Sequence, residues 1–231
     1  MTISPDGKTL VSASDDKTIK IWDMATGREK HTLTGHQSWV NSVTISPDGK
    51  TLVSASDDKT IKIWDMATGK RKHTLTGHQS WVNSVTISPD GKTLVSASGD
   101  KTIKIWDMAT GREKHTLTGH QDWVNSVTIS PDGKTLVSAS LDKTIKIWDM
   151  ATGREKHTLT GHQDSVNSVT ISPDGKTLVS ASRDNTIKIW DISDISDINV
   201  NSLLQKVCNR VRNYLRHDNL VPVEDRYLCD Q

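Results

Sequence analysis

Val40-Asn41-Ser42-Val43-Thr44-Ile45, Ser46-Pro47-Asp48-Gly49-Lys50, Thr51-Leu52-Val53-Ser54-Ala55 and Thr60-Ile61-Lys62-Ile63-Trp64 are the stretches whose reading decides the fold. The first, third and fourth alternate apolar with polar side chains and are rich in β-branched residues, which predicts short strands. Between the first two strands, Pro47 presets a turn φ and Gly49 can take positive φ without a Cβ clash. Ala67-Thr68-Gly69 marks another turn, a fourth strand is predicted from Lys72 to Thr76, and Gly77-His78 closes the unit. Each unit therefore reads as a four-stranded antiparallel meander.

Outward from this unit, Trp-Asp dipeptides at Trp22, Trp64, Trp106, Trp148 and Trp190 recur every 42 residues. Residues 43–84 and 85–126 differ at four of 42 positions, and 85–126 and 127–168 at two, as expected of recent duplication. A single small sheet cannot bury a core alone, so the copies must stack face to face, and about 40 residues with four strands per copy points to propeller blades. Met1 aligns with Val43, Val85, Val127 and Val169, midway through an innermost strand, and the last unit stops after Asp191 without its fourth strand. The expectation is an all-β propeller of five blades, the first and last incomplete, over residues 1–191. It would be the C-terminal part of a longer protein, its ring truncated at the N-terminal side.

Composition narrows the function. Lys plus Arg number 29 and Asp plus Glu 28, a net charge of +1, which argues against a nucleic-acid binder. No run approaches the ~20 apolar residues of a membrane span, and the N-terminus lacks a signal-peptide pattern. Cys208 and Cys229 both fall beyond the repeats and outside any metal-ligand spacing, so the repeats are expected to fold without disulfides, by default in the cytoplasm.

The spacing of Gly35-His36, Ser54, Asp58 and Trp64-Asp65 resembles the WD-repeat β-propeller family. It recurs as His78, Ser96, Asp100, Trp106; as His120, Ser138, Asp142, Trp148; and as His162, Ser180, Asp184, Trp190. The first unit keeps Ser12, Asp16 and Trp22 but has no His. His, Ser and Asp are the residue types of a hydrolytic triad. Four copies argue for structure instead: an enzyme needs one preorganised site, whereas each blade needs its buried polar groups satisfied, and the resemblance implies such a Trp-Ser-His-Asp network. No catalytic residue is assigned and no cofactor is expected. Gly49-Lys50-Thr51 lacks the upstream glycine of a phosphate loop. His31, His73, His115 and His157 lie on the predicted outermost strand, where imidazoles diverge, so no metal site is expected.

Differences among the sister copies fall mostly at turns: Asp15, Asp57, Gly99, Leu141 and Arg183; Lys17, Lys59, Lys101, Lys143 and Asn185; Ser38, Ser80, Asp122 and Asp164; Trp39, Trp81, Trp123 and Ser165. In an antiparallel blade these columns share one rim, while Arg28-Glu29 and its equivalents lie at the other. The family resemblance implies that partners are held at Asp57, Gly99, Leu141 and Arg183, at Trp39, Trp81, Trp123 and Ser165, and at Asn41, Asn83, Asn125 and Asn167. The first unit retains Asp15 alone. A ring of Trp with neighbouring Asn suits a protein or peptide partner; the alternative is that each Trp packs over its neighbouring blade.

Residues 192–201 read as a linker and 202–231 as a helical tail. Leu203, Leu204, Val207, Cys208, Val211, Tyr214 and Leu215 form one apolar stripe, and Ser202 and Gln205 have capping-box spacing. The stretch from Asn213 to Cys229 resembles the closing segment of bacterial, cyanobacterial-type proteins that join a nucleotide-binding signalling ATPase to WD repeats. Two functions follow as expectations. One is a non-catalytic protein-binding scaffold or sensor of such a protein; the other is a self-assembling propeller fragment that forms homo-oligomers through its open blade edges.

Overall fold

Nineteen strands form five antiparallel sheets, called blades below, in a computed structural model that describes residues 1–193. Blade one comprises β1 (Thr2–Ile3), β2 (Thr9–Ala13), β3 (Ile19–Asp23) and β4 (Glu29–Leu33). Blade two comprises β5 (Val40–Ile45), β6 (Thr51–Ser56), β7 (Ile61–Asp65) and β8 (Arg71–Leu75). Blade three holds β9 (Val82–Ile87), β10 (Thr93–Ser98), β11 (Ile103–Asp107) and β12 (Glu113–Leu117), and blade four β13 (Val124–Ile129), β14 (Thr135–Ser140), β15 (Ile145–Asp149) and β16 (Glu155–Leu159). Blade five has three strands among the described residues: β17 (Val166–Ile171), β18 (Thr177–Ser182) and β19 (Ile187–Asp191). Each is a simple meander in strand order. The linker beyond Ser193 and the helix expected at 202–231 lie outside the described residues.

Three kinds of turn build each four-stranded blade. Ser46 O accepts from Gly49 N at 2.8 Å, with Gly49 at φ 72°, so the Pro47-Asp48 turn closes tightly. Between β6 and β7, Ser56 O accepts from Lys59 N and Lys59 adopts φ 66°, the left-handed residue of a three-residue hairpin loop. After β7, the carboxylate of Asp65 accepts from the N–H and hydroxyl of Thr68, at 3.0 and 2.9 Å. The Trp-Asp dipeptide thus divides its labour, the indole filling the core and the carboxylate folding the turn.

The core lies between blades. Val53, Ala55, Ile61, Ile63 and Leu75 of blade two form one apolar face, buried against Val82, Val85, Leu94 and Trp106 of blade three. Blades one and two, and blades three and four, meet through the equivalent residues. Every complete blade therefore has a forward face rich in Ile and a rear face carrying Trp. Alternation in the strands makes this possible, since successive side chains point to opposite faces.

Candidate functional site

The buried network comes first, because it anchors the loops that form the rim. Trp64 Nε1 donates to Ser54 Oγ at 2.8 Å, and that oxygen lies 2.8 Å from His36 Nε2. His36 Nδ1 is 2.7 Å from Asp58 Oδ2. An ionised carboxylate only accepts, so the imidazole donates through Nδ1 and its Nε2 accepts from the Ser54 hydroxyl. Asp58 also accepts from Gln37 N and from the N–H and hydroxyl of Thr60. Burial pushes the Asp58 carboxyl upward, but hydrogen bonds from His36, Thr60 and Gln37 outweigh it and hold the group well below the usual carboxylate range. The same links recur in His78–Ser96–Asp100–Trp106, His120–Ser138–Asp142–Trp148 and His162–Ser180–Asp184–Trp190. Blade one keeps only the link from Trp22 to Ser12, at 2.9 Å.

These distances match the hydrogen-bond order of a triad. The difference is access: Ser54, Ser96, Ser138 and Ser180 are fully buried, and each hydroxyl oxygen also accepts an indole N–H. A nucleophile with no approach for a carbonyl carbon serves to tie Trp, His and Asp together. The carboxylate in turn holds the loop that follows β6 and its equivalents.

At the rim, the backbone brings together the columns singled out in the sequence. Asp57 N donates to Trp39 O, Gly99 N to Trp81 O, Leu141 N to Trp123 O and Arg183 N to Ser165 O, at 2.8 to 3.0 Å. Trp39, Trp81 and Trp123 are 53%, 43% and 37% exposed. The Trp81 and Trp123 rings meet edge to face with centroids 5.0 Å apart. A Cβ on Gly99 would lie 3.7 Å from Trp123 Cδ1, so that indole also leans over the turn of the preceding blade. Both sequence readings of the Trp column thus have a physical counterpart, exposure and packing over the neighbour. Gly99 and Ser165 are buried, whereas Asp15, Arg183, Asn41 and Asn167 are exposed.

The Asn column has a role that sequence reasoning missed. Val40 pairs with Ser56 and Ser42 with Ala55, so Asn41 is the extra residue of a β-bulge, and Asn83, Asn125 and Asn167 repeat it. A bulge re-aims its side chain. Asn41 Nδ2 donates to Val82 O of the next blade at 3.1 Å, and Asn83 and Asn125 donate likewise to Val124 O and Val166 O at 3.0 Å. Asn41 Nδ2 also donates to Asp57 Oδ1 at 2.6 Å. The signal was an Asn at the same place in a β-rich stretch in four of the five copies.

Across the third and fourth strands of blades one, three and four, Lys20, Lys104 and Lys146 pair with Glu29, Glu113 and Glu155 at 2.6 to 2.8 Å. Blade two breaks this pattern, because Arg71 stands at the Glu position. Burial pushes the Lys62 ammonium below its ordinary value; Asp58 opposes that shift and Arg71 adds to it. His73 lines a groove with Lys72, Asp48 and Met108. No three His, Cys, Asp or Glu side chains gather as a metal-holding group among the described residues. Among those residues no helix is long and apolar enough to cross a membrane.

Comparison with known proteins agrees with this geometry. A 42-residue stretch is 48% identical to a probable serine/threonine-protein kinase, PkwA, of Thermomonospora curvata, covering 18% of this chain and 6% of that protein. Nuclear distribution protein PAC1 of Arthroderma otae is 57% identical over 37 residues, 16% of this chain and 8% of its own. U3 small nucleolar RNA-associated protein 15 of Schizosaccharomyces pombe is 44% identical over 36 residues, 16% of this chain and 7% of its own. Each alignment thus spans about one repeat and less than a tenth of the relative. The WD40 family profile, described as WD domain, G-beta repeat, matches residues 1–23, 27–65, 69–107, 111–149 and 153–191. With five repeats covering most of its length, the chain belongs to the WD40 family.

Proposed function

We propose that the rim carrying Trp39, Trp81 and Trp123 holds a protein or peptide partner, and that the chain works without catalysis as a scaffold or sensor module. WD40 repeats are generally protein-interaction scaffolds. The observation that carries the rim assignment is the three exposed indoles, two in edge-to-face contact, beside Asp57, Gly99 and Leu141. Exposed aromatic surface of this size is costly to leave in water and is a strong anchor once covered. Near-neutral charge favours a polypeptide over a nucleic acid. In this reading the module serves a larger bacterial signalling protein in the cytoplasm.

The test is selection of a random displayed peptide library on the chain and on a Trp81→Ser/Trp123→Ser variant, both checked for fold by circular dichroism. Ser165 occupies the same column in blade five, so serine is compatible with the backbone there. Peptides enriched on the parent should lose at least tenfold in affinity for the variant. Equal enrichment on both would remove the rim from the account.

A further inference from the structure

Blade two carries a cluster of donors that its sister blades neutralise and it does not. In blade three, Glu113 bridges two donors, accepting from Lys104 Nζ at 2.8 Å on one oxygen and from the Thr116 hydroxyl on the other. Glu155 does the same with Lys146 and Thr158 in blade four, and Glu29 with Lys20 and Thr32 in blade one. Burial pushes the Glu113 carboxyl upward, yet hydrogen bonds from Lys104 and Thr116 outweigh it and hold the group below its ordinary value. The lysine and threonine thus form a receptor for an oxyanion, and in these blades the chain supplies the oxyanion itself.

In blade two the receptor is kept and the carboxylate is replaced by a cation. Lys62 pairs in register with Thr74 and Trp64 with Arg71, as Lys104 does with Thr116 and Trp106 with Glu113. The guanidinium lies where the carboxylate would: a Cβ on Gly35 would be 3.5 Å from Arg71 Nη1, and one on Gly77 would be 3.4 Å from Glu113 Oε2. Lys62 is 5% exposed, whereas Arg71 and Thr74 are exposed, so the cluster opens to solvent on their side. Lys62 Nζ stands 3.5 Å from Thr74 Oγ1, against 2.7 Å for the same pair in blade three. Among the described residues no carboxylate lies within ion-pair distance of Lys62 or Arg71. Asp58, whose charge does reach Lys62, is already engaged by His36, Gln37 and Thr60. Two like charges are therefore held beside one hydroxyl, an arrangement that costs free energy until an anion joins them.

We propose that Lys62, Arg71 and Thr74 form a phosphate-binding site on the outer strands of blade two. Charge selects the ligand: one carboxylate balances one lysine in the sister blades, whereas lysine with arginine calls for a dianion. A phosphate group carries close to two negative charges above neutral pH and has oxygens enough to accept from ammonium, hydroxyl and guanidinium together. The planar fork of the arginine matches phosphate oxygens in pairs. The ligand is inorganic phosphate or the phosphate group of a monoester, and the site stands apart from the Trp columns of the rim.

Equilibrium dialysis of the full chain against radiolabelled inorganic phosphate, at constant ionic strength, tests it. The parent is expected to bind one phosphate with a Kd of ~1 mM or below. Arg71→Glu, which installs the residue that the sister blades carry, should weaken binding at least ~10-fold. Arg112→Glu changes the net charge equally at an exposed position of blade three and should leave binding intact. Glu113→Arg rebuilds the cluster in blade three and should raise the stoichiometry from one to two. Circular dichroism verifies that each variant is folded. Displacement of the label by phenyl phosphate at matching concentration supports a monoester as the ligand, and displacement by inorganic phosphate alone supports the free ion. A parent that takes up no phosphate, equal binding by the Arg71→Glu variant, loss of binding in the Arg112→Glu variant, an unchanged stoichiometry in the Glu113→Arg variant, or equal displacement by acetate overturns the proposal.

Discussion

Asn83 donates its side-chain N–H to the carbonyl of Val124, 41 residues further along, at 3.0 Å. The bond crosses from blade three to blade four and is available because the bulge at Asn83 turns the carboxamide out of its own sheet. Asn83→Ala is expected to lower stability by about 1 kcal/mol, the net worth of one such hydrogen bond. Urea denaturation followed by tryptophan fluorescence measures it. No change in midpoint would leave the carboxamide free for partner contact alone.

Ser138 is the node of its blade's network, within 2.8 Å of His120 Nε2 and 2.9 Å of Trp148 Nε1. Ser138→Ala leaves both ring nitrogens without that partner in a buried place, at about 1 to 3 kcal/mol each. Ser12→Ala in blade one removes only the link to Trp22 and should cost roughly half as much. Parallel denaturation curves of the two variants decide whether the His link carries the difference.

Arg71 is the odd residue of its column, facing a buried Lys62 where the other copies place a glutamate. Arg71→Glu should restore the ion pair seen between Lys104 and Glu113 at 2.8 Å. The partners there are partly exposed, so the expected gain is up to about 1 kcal/mol. It should shrink in high salt, and a gain insensitive to salt would point to packing instead.

Acid should act through the network carboxylates. The folded-state values of Asp58, Asp100 and Asp142 are all depressed from the ordinary 3.8. Above that value neither state holds the proton and their contribution to stability is complete. As pH falls below 3.8 the unfolded chain takes up protons that the folded chain refuses, so stability declines with falling pH and the contribution is exhausted only below the folded values. Asp142→Asn removes one such site. Stability measured from pH 5 to pH 2.5 should therefore fall less steeply in that variant, and an unchanged slope would assign the acid sensitivity elsewhere.

Lys101 holds φ 69°, a left-handed conformation that disfavours most side chains. Asn185 takes the same place in blade five at φ 63°. Lys101→Asn is expected to stabilise the chain by about 0.5 to 1 kcal/mol, since Asn visits this region more readily. Thermal unfolding reads the result as a rise in Tm; a fall would show that the lysine side chain contributes more than its backbone strain costs.

Much of the fold was legible before any coordinates. Alternation in Thr51 to Ala55, the Pro47-Asp48-Gly49 turn and the Trp-Asp period are local signals, and the strands β5 to β7 follow them closely. The His36–Ser54–Asp58–Trp64 set was read from a family resemblance, and the structure joins its members by hydrogen bonds between residues 18, 22 and 10 positions apart. The bulge at Asn41 was not legible, since one unpaired residue in a ladder leaves the polar and apolar pattern almost unchanged. Nor was the burial of Ser165 and Gly99, which depends on what the neighbouring loop lays over them.

Sequence alone determined the blade, because alternation and turn chemistry act over a few residues, and duplication repeated the same instructions. The tertiary structure decided what became of each copy. Ile61 and Ile63 are buried while Ile187 and Ile189, in the same Ile-Lys-Ile-Trp-Asp context, stand in solvent. The chemistry is identical and the difference is whether a neighbouring sheet covers the face. Burial is a property of surfaces brought together, and a repeated segment does not record which of its faces finds a partner.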